Sequence, residues 1–114
     1  MSEQGVQQAI RLALGSHPGI RCFRNNCGAY KAHDGRVIRY GLIIGSGDLI
    51  GWKTVTITPD MVGTQIAQFI SIEVKTPKGV VRPEQQTWAD NVRRGGGIAV
   101  IARSVDDVRF LLAP

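Results

Sequence analysis

The feature that limits this chain most is the order of its second half: an alternating run, a proline-opened helical run and a wholly apolar run. Within Gln65 to Lys75, the residues Ile66, Gln68, Ile70, Ile72 and Val74 fall on one face of an extended strand. Ala67, Phe69, Ser71, Glu73 and Lys75 fall on the other. Pro77 and Gly79 end the strand. Pro83 stands where a helix tolerates proline, in its first turn, and the helix is expected to reach Arg94, where Gly95-Gly96-Gly97 stops it. Ile98 to Ala102 reads as a buried strand. Strand, helix and strand in that order imply a parallel crossover of the right-handed kind. The expected class is α/β, a mixed β-sheet flanked by helices.

The first half supplies a helix and shorter strands. Val6, Ala9, Ile10, Ala13 and Leu14 recur at helical spacing, with Ser2 as N-cap and Gly15 to Gly19 as the turn that follows. Ile20 to Phe23 reads as a short strand, and Gly28 permits a tight bend. Asp34-Gly35 is a turn dipeptide that leads into an extended stretch, Val37 to Ile44. Gly45-Ser46-Gly47 breaks that stretch, Asp48 to Trp52 starts another strand, and Thr54 to Thr58 alternates β-branched residues that should pair nearby. Ser104 and Asp107 resemble a capping box opening a last helix through Leu112.

The chain has 114 residues, 43% of them hydrophobic, which suits a single domain over 1–114. No apolar run is long enough to span a membrane, and Met1 to Gln8 lacks the order of a signal peptide, so a cytoplasmic protein is expected. Cys22 and Cys27 fit free thiols, and one Cys pair is a poor zinc signal. Fourteen Lys and Arg against nine Asp and Glu give a net charge of +5, which favours a polyanionic partner such as nucleic acid. Arg24, Lys31, Arg36 and Arg39 fall in one stretch with Asp34 as its single acid, and Arg82, Arg93, Arg94 and Arg103 lie further on.

Glu73 and Lys75 occupy alternate positions of a strand and so share a face, near its C-terminal end, the edge that ligands favour in open α/β sheets. Alone, such a pair is an ordinary surface Glu–Lys. Asp48 changes the balance, because it too stands at a strand end beside a glycine break, although an Asp there also satisfies a turn. Two carboxylates and an amine together would make a hard-metal site suited to Mg²⁺, which takes one or two carboxylates and fills its shell with water and phosphate oxygens. Gln85 shares a helix face with Trp88, Ala89 and Val92 and so points inward at the helix start. There it could position Lys75 or a water, or simply meet a backbone group. Glu3, on the apolar side of the first helix, is either a further metal ligand or a first-turn acid answering the helix dipole.

These residues lie in blocks that resemble a known family. Arg24-Asn25-Asn26, Arg39-Tyr40-Gly41-Leu42, the run Gly45 to Gly51, the run Ile72 to Gly79, Pro83-Glu84-Gln85 and the glycines before Ile98 occur in the order and spacing of the virus-type replication-repair nucleases (VRR-NUC), a branch of the PD-(D/E)xK superfamily. The resemblance covers almost the whole chain. It departs from the superfamily's name in placing Gly47 where a proline would precede the Asp. It implies a restriction-endonuclease-like fold and phosphodiester hydrolysis with Mg²⁺ or Mn²⁺. By position, Asp48 looks like the family's metal Asp, Glu73 and Lys75 like its E-x-K, Gln85 like its following Gln, and Glu3 like its N-terminal helix Glu. The stand-alone form resembles homodimeric members, found in phages and bacteria, that resolve Holliday junctions.

Three classes of function follow: an active nuclease, a DNA-binding relic, and an accessory module that needs a protein partner. Intact Asp48, Glu73 and Lys75 favour the first. DNA would be held through its phosphates, with Arg24, Asn26, Lys31, Arg36 and Arg39 as the candidate contacts. No base-reading motif is present.

Overall fold

The computed structural model describes residues 2–114 and divides the chain into two compact units, Met1–Lys53 and Thr54–Pro114. In the first unit, α1 spans Glu3–Gly15 and is capped as its sequence suggests: the Ser2 hydroxyl accepts the Gly5 N–H at 3.0 Å. The strands β1 (Ile20–Arg24) and β4 (Leu49–Lys53) pair antiparallel, from Ile20 opposite Lys53 to Arg24 opposite Leu49. The Phe23 and Trp52 rings lie 5.6 Å apart on this pair. Between them β2 (Gly28–Lys31) and β3 (Val37–Tyr40) form a separate antiparallel hairpin, closed by the Asp34-Gly35 turn.

Two expectations change here. Gly28 opens a strand rather than a bend, paired with Tyr40. The stretch expected to run from Val37 to Ile44 stops at Tyr40, because its partner strand ends there and the next residue, Gly41, adopts φ +80°. A side chain at Gly41 would also press within 2.7 Å of the Asn26 carbonyl and of Cys27. A non-glycine residue is disfavoured on both counts.

In the second unit, β5 (Ile70–Val74) and β6 (Ile98–Ala102) pair parallel through α2 (Pro83–Arg94), which is the strand–helix–strand unit read from the sequence. Their register runs from Ile70 opposite Ile98 to Val74 opposite Ala102. The strand expected from Gln65 is therefore shorter: β6 offers five residues to pair with, and Phe69 instead accepts the Ile98 N–H at 2.8 Å as the ladder begins. The core of this unit is Ala89 and Val92 of α2 against Ala99 and Ala102 of β6, all buried. Gly97 lies beneath Val92, where an added Cβ would meet the Val92 side chain at 2.9 Å.

Thr54 to Thr58 forms no strand; Thr54 donates to the Gly95 carbonyl, and a 3-10 turn follows at Pro59–Met61. The last segment, Val105–Leu112, is a 3-10 helix rather than an α-helix. Asp107 does reach back, but to the Arg103 N–H at 2.8 Å, so the expected reciprocal cap with Ser104 does not form. The two small antiparallel pairs, the parallel pair and the helices make the chain mixed α/β.

Candidate active site

The site in the second unit is built by the parallel crossover. Ser71, Glu73 and Lys75 project from one face of β5 and its end, and all are half-buried, while Ile70, Ile72 and Val74 of the other face stay exposed. The Lys75 N–H continues the ladder to the Ala102 carbonyl at 2.9 Å, which fixes its backbone just past the strand. Helix α2 lies over the Ser71–Glu73 face. The Trp88 indole N–H donates to the Ser71 hydroxyl at 2.7 Å, and the Gln85 amide N–H donates to Glu73 Oε1. A cavity of about 190 Å³ opens among Ser71, Glu73, Gln85, Trp88 and Ile101.

Gln85 is held at both ends. Its carbonyl accepts the Arg82 N–H at 3.0 Å, one of the unpaired donors at the start of α2. Its amide nitrogen faces Glu73. Only one orientation of the side-chain amide satisfies both neighbours, since a carboxylate accepts and a backbone N–H donates. The Arg82 guanidinium has no acceptor to return, so the other half of a capping box is absent and the Gln85 N–H donates to the Arg82 backbone carbonyl at 3.0 Å instead. Gln86 lies on a different face and bonds Asp90, in keeping with its spacing.

The Lys75 ammonium lies 3.6 Å from Glu73 Oε1, with 16% of its side chain exposed. Both Gln85 and Lys75 thus engage the same oxygen, and Oε2 is the one that neither occupies. The Glu73 carboxylate is thus oriented by one hydrogen bond and one ion pair, both at Oε1.

Asp48 belongs to the first unit. Its backbone is pinned where the β1–β4 ladder ends, through the Asn25 N–H to the Asp48 carbonyl at 2.8 Å, and its side chain is exposed. Glu3 is an exposed residue in the first turn of α1. Among the described residues no group of three or more His, Cys, Asp or Glu is assembled as a metal cage. A hard ion that takes one or two carboxylates does not require one.

The basic residues divide by what they touch. Arg24 and Arg39 lie on strands, Lys31 ends β2, and these three and Asn26 are exposed. Arg36 pairs with Asp34 at 2.6 Å, which offsets its charge locally. In the second unit several cations serve the fold: Arg93 donates to the Ala99 carbonyl at 2.7 Å and Arg94 to Asn91. Arg103 gathers the loop after Lys75, with one guanidinium nitrogen 2.7 Å from the Thr76 carbonyl and 2.8 Å from that of Gly79.

Compared with known families, residues 1–106 match the VRR-NUC domain. The chain belongs to the VRR-NUC family. VRR-NUC domains are nuclease domains with a restriction-endonuclease-like fold, so the resemblance read from the motif blocks is confirmed over nearly the full length. No curated protein and no solved structure matches the chain. Cys22 and Cys27 are free thiols, as expected. No helix among the described residues is long and apolar enough to cross a membrane.

Two residues at these sites carry no signal that spacing analysis detects. Asn25 lies inside a motif block yet looks like any polar residue after a strand. Arg103 counts in the sequence only as one more positive charge. A polar residue directly after a strand, where a loop must return, was the available hint in both cases.

The double attachment of Gln85 separates two effects. Gln85→Glu keeps an acceptor for the Arg82 N–H but sets a second carboxylate against Glu73. The expected outcome is unfolding stability within about 1 kcal/mol of the parent, the scale of a helix cap, with DNA cleavage slowed at least tenfold. Denaturant titration and cleavage rates of the same protein check it, and an unimpaired rate would mean that the Gln85–Glu73 bond is dispensable.

Proposed function

We propose that this VRR-NUC chain is a metal-dependent, structure-selective DNA endonuclease that hydrolyses phosphodiester bonds in branched DNA such as Holliday junctions. Asp48, Glu73 and Lys75 are its reaction centre. The observation that carries the reading is the arrangement of Glu73, Lys75 and Gln85: a carboxylate at a strand end that accepts a hydrogen bond from Gln85 and lies in an ion pair with a half-buried amine.

The donor set fits Mg²⁺ or Mn²⁺. Asp48 and Glu73 offer hard carboxylate oxygens, with Glu3 as a further ligand, and Glu73 keeps Oε2 outside its contacts with Gln85 and Lys75. A divalent ion held there would supply charge for the scissile phosphate and the leaving oxygen, and would make water more acidic. The protein's own groups do the rest. Gln85 keeps the Glu73 carboxylate in one orientation. Lys75, tied through its backbone to Ala102, orients or deprotonates the attacking water, or stabilises the negative charge that grows on the phosphate. Arg24, Asn26, Lys31 and Arg39 hold the DNA backbone, and Arg36 joins them if phosphate displaces Asp34.

A homodimer completes the reading, because two matched cuts in a two-fold junction call for two centres in fixed relation. Leu42, Ile43 and Ile44, at 50%, 81% and 77% exposure, form an apolar run that a copy of the chain would cover.

Two measurements test this. Asp48→Ala, Glu73→Ala and Lys75→Ala should each abolish cleavage of four-way and flap DNA in Mg²⁺ or Mn²⁺ while retaining DNA binding. Loss of a carboxylate should tighten binding slightly, as repulsion from phosphate falls. Cleavage at the parental rate by Glu73→Ala contradicts the site. Light scattering without DNA should give twice the chain mass, and a monomer that persists with junction DNA present contradicts paired resolution.

A further inference from the structure

Among the described residues Asn25 is the one buried polar side chain, at 9% exposure, and its hydrogen-bonding capacity is filled. Its amide nitrogen donates to the Ser46 hydroxyl at 2.7 Å and to the Gly47 carbonyl at 2.8 Å. Its oxygen accepts the Leu42 N–H at 3.2 Å and the Cys27 thiol at 3.2 Å. An amide has two N–H donors and two acceptor lone pairs, and each has a partner here. Its own backbone N–H donates to the Asp48 carbonyl at 2.8 Å.

Every one of these partners except Cys27 lies in residues 42–48, the segment that delivers Asp48. That segment contains Gly45 and Gly47, and Gly45 adopts φ +91°. Two glycines give the backbone many alternatives, and no ladder restrains the segment before β4 begins at Leu49. The Asn25 side chain makes three of the hydrogen bonds that hold this segment, beside the Ser46 N–H to the Ile43 carbonyl at 3.0 Å and the Cys27 Sγ–Ser46 Oγ contact at 3.4 Å.

We propose that Asn25 is a positioning residue for metal binding: it clamps the 42–48 loop so that the exposed Asp48 carboxylate is presented in one place. This rests on Asp48 being the metal carboxylate of the proposed function. Asn25 itself touches neither metal nor DNA. Partners that orient a ligating carboxylate change metal affinity by about 10–100-fold when removed, which sets the size of effect to look for.

The test uses the whole chain, with Mn²⁺ alone as the probe, titrated by calorimetry without DNA. Asn25→Ala should weaken Mn²⁺ binding at least tenfold. The Leu42 amide should lose hydrogen-exchange protection while the β1–β4 ladder keeps its own. Ser46→Ala, which removes one acceptor from a half-exposed position, should shift Mn²⁺ affinity in the same direction by a smaller factor, and it decides the matter if Asn25→Ala does not fold. Metal-free DNA binding should be unchanged in both. Parental Mn²⁺ affinity in a folded Asn25→Ala protein, or in Ser46→Ala where Asn25→Ala fails to fold, overturns the proposal. Asp48→Ala is the control. If it binds Mn²⁺ and cleaves like the parent, the reading of Asp48 itself fails and the clamp falls with it. If Asp48→Ala is inactive while Asn25→Ala binds Mn²⁺ normally, only the clamp fails.

Discussion

The hydrogen bond from the Gln85 amide to Glu73 joins the start of a helix to the end of a strand, and the proposed site in the second unit is built on it. A helix leaves its first N–H groups unpaired, and Gln85 answers one of them at Arg82. That obligation fixes which end of the amide faces the sheet. The Glu73 carboxylate then receives a donor whose orientation is set by helix capping rather than by chance. Below it, the pairing of β5 with β6 holds Glu73 opposite Ile101, and the buried Ala89 and Val92 keep α2 seated over the strand. Packing, capping and the placement of the Glu73 carboxylate are one arrangement here.

A similar device recurs wherever the chain leaves a regular element near a candidate residue. Thr76 to Gly79 follows Lys75 without a ladder partner, and Arg103 collects its carbonyls. The glycine-rich approach to Asp48 is gathered by Asn25. Both are single polar side chains satisfying several backbone groups of a loop. Such contacts hold a flexible segment in place at little cost, because the loop groups would otherwise need water. They also explain why a positive net charge of +5 overstates what is available to DNA: Arg93, Arg94 and Arg103 are engaged with the protein itself.

Much of this was legible before any coordinates. Alternation in Gln65 to Lys75 and the inward spacing of Gln85, Trp88, Ala89 and Val92 are properties of regular elements, so they can be read from periodicity alone. The parallel crossover and the meeting of Gln85 with the Glu73 face follow from them. Strand lengths could not be read, because a strand ends where its partner ends: β3 stops opposite Gly28 and β5 begins opposite Ile98. The final helix is 3-10, and Asp107 accepts the Arg103 N–H in place of the Ser104 N–H, a choice between neighbouring N–H groups that composition does not decide. Asn25 and Arg103 were hidden because much of what they hold is backbone far along the chain, the Gly47 carbonyl and Leu42 N–H for Asn25 and the Thr76 and Gly79 carbonyls for Arg103, and backbone atoms look alike in every sequence. Asp48 and Glu73 lie in different units and no local pattern links them, so the proposal that they act together rests on the motif blocks.

The central proposal is that these two carboxylates serve one divalent ion. Paramagnetic broadening of backbone amide signals during Mn²⁺ titration tests it most directly, because the effect reaches only nuclei near the bound ion. The expected result is that amides around Asp48 and amides around Glu73 and Lys75 broaden together with a common midpoint, and that Asp48→Ala abolishes the broadening in both segments. Broadening confined to one segment, or two independent midpoints, would contradict a shared metal centre.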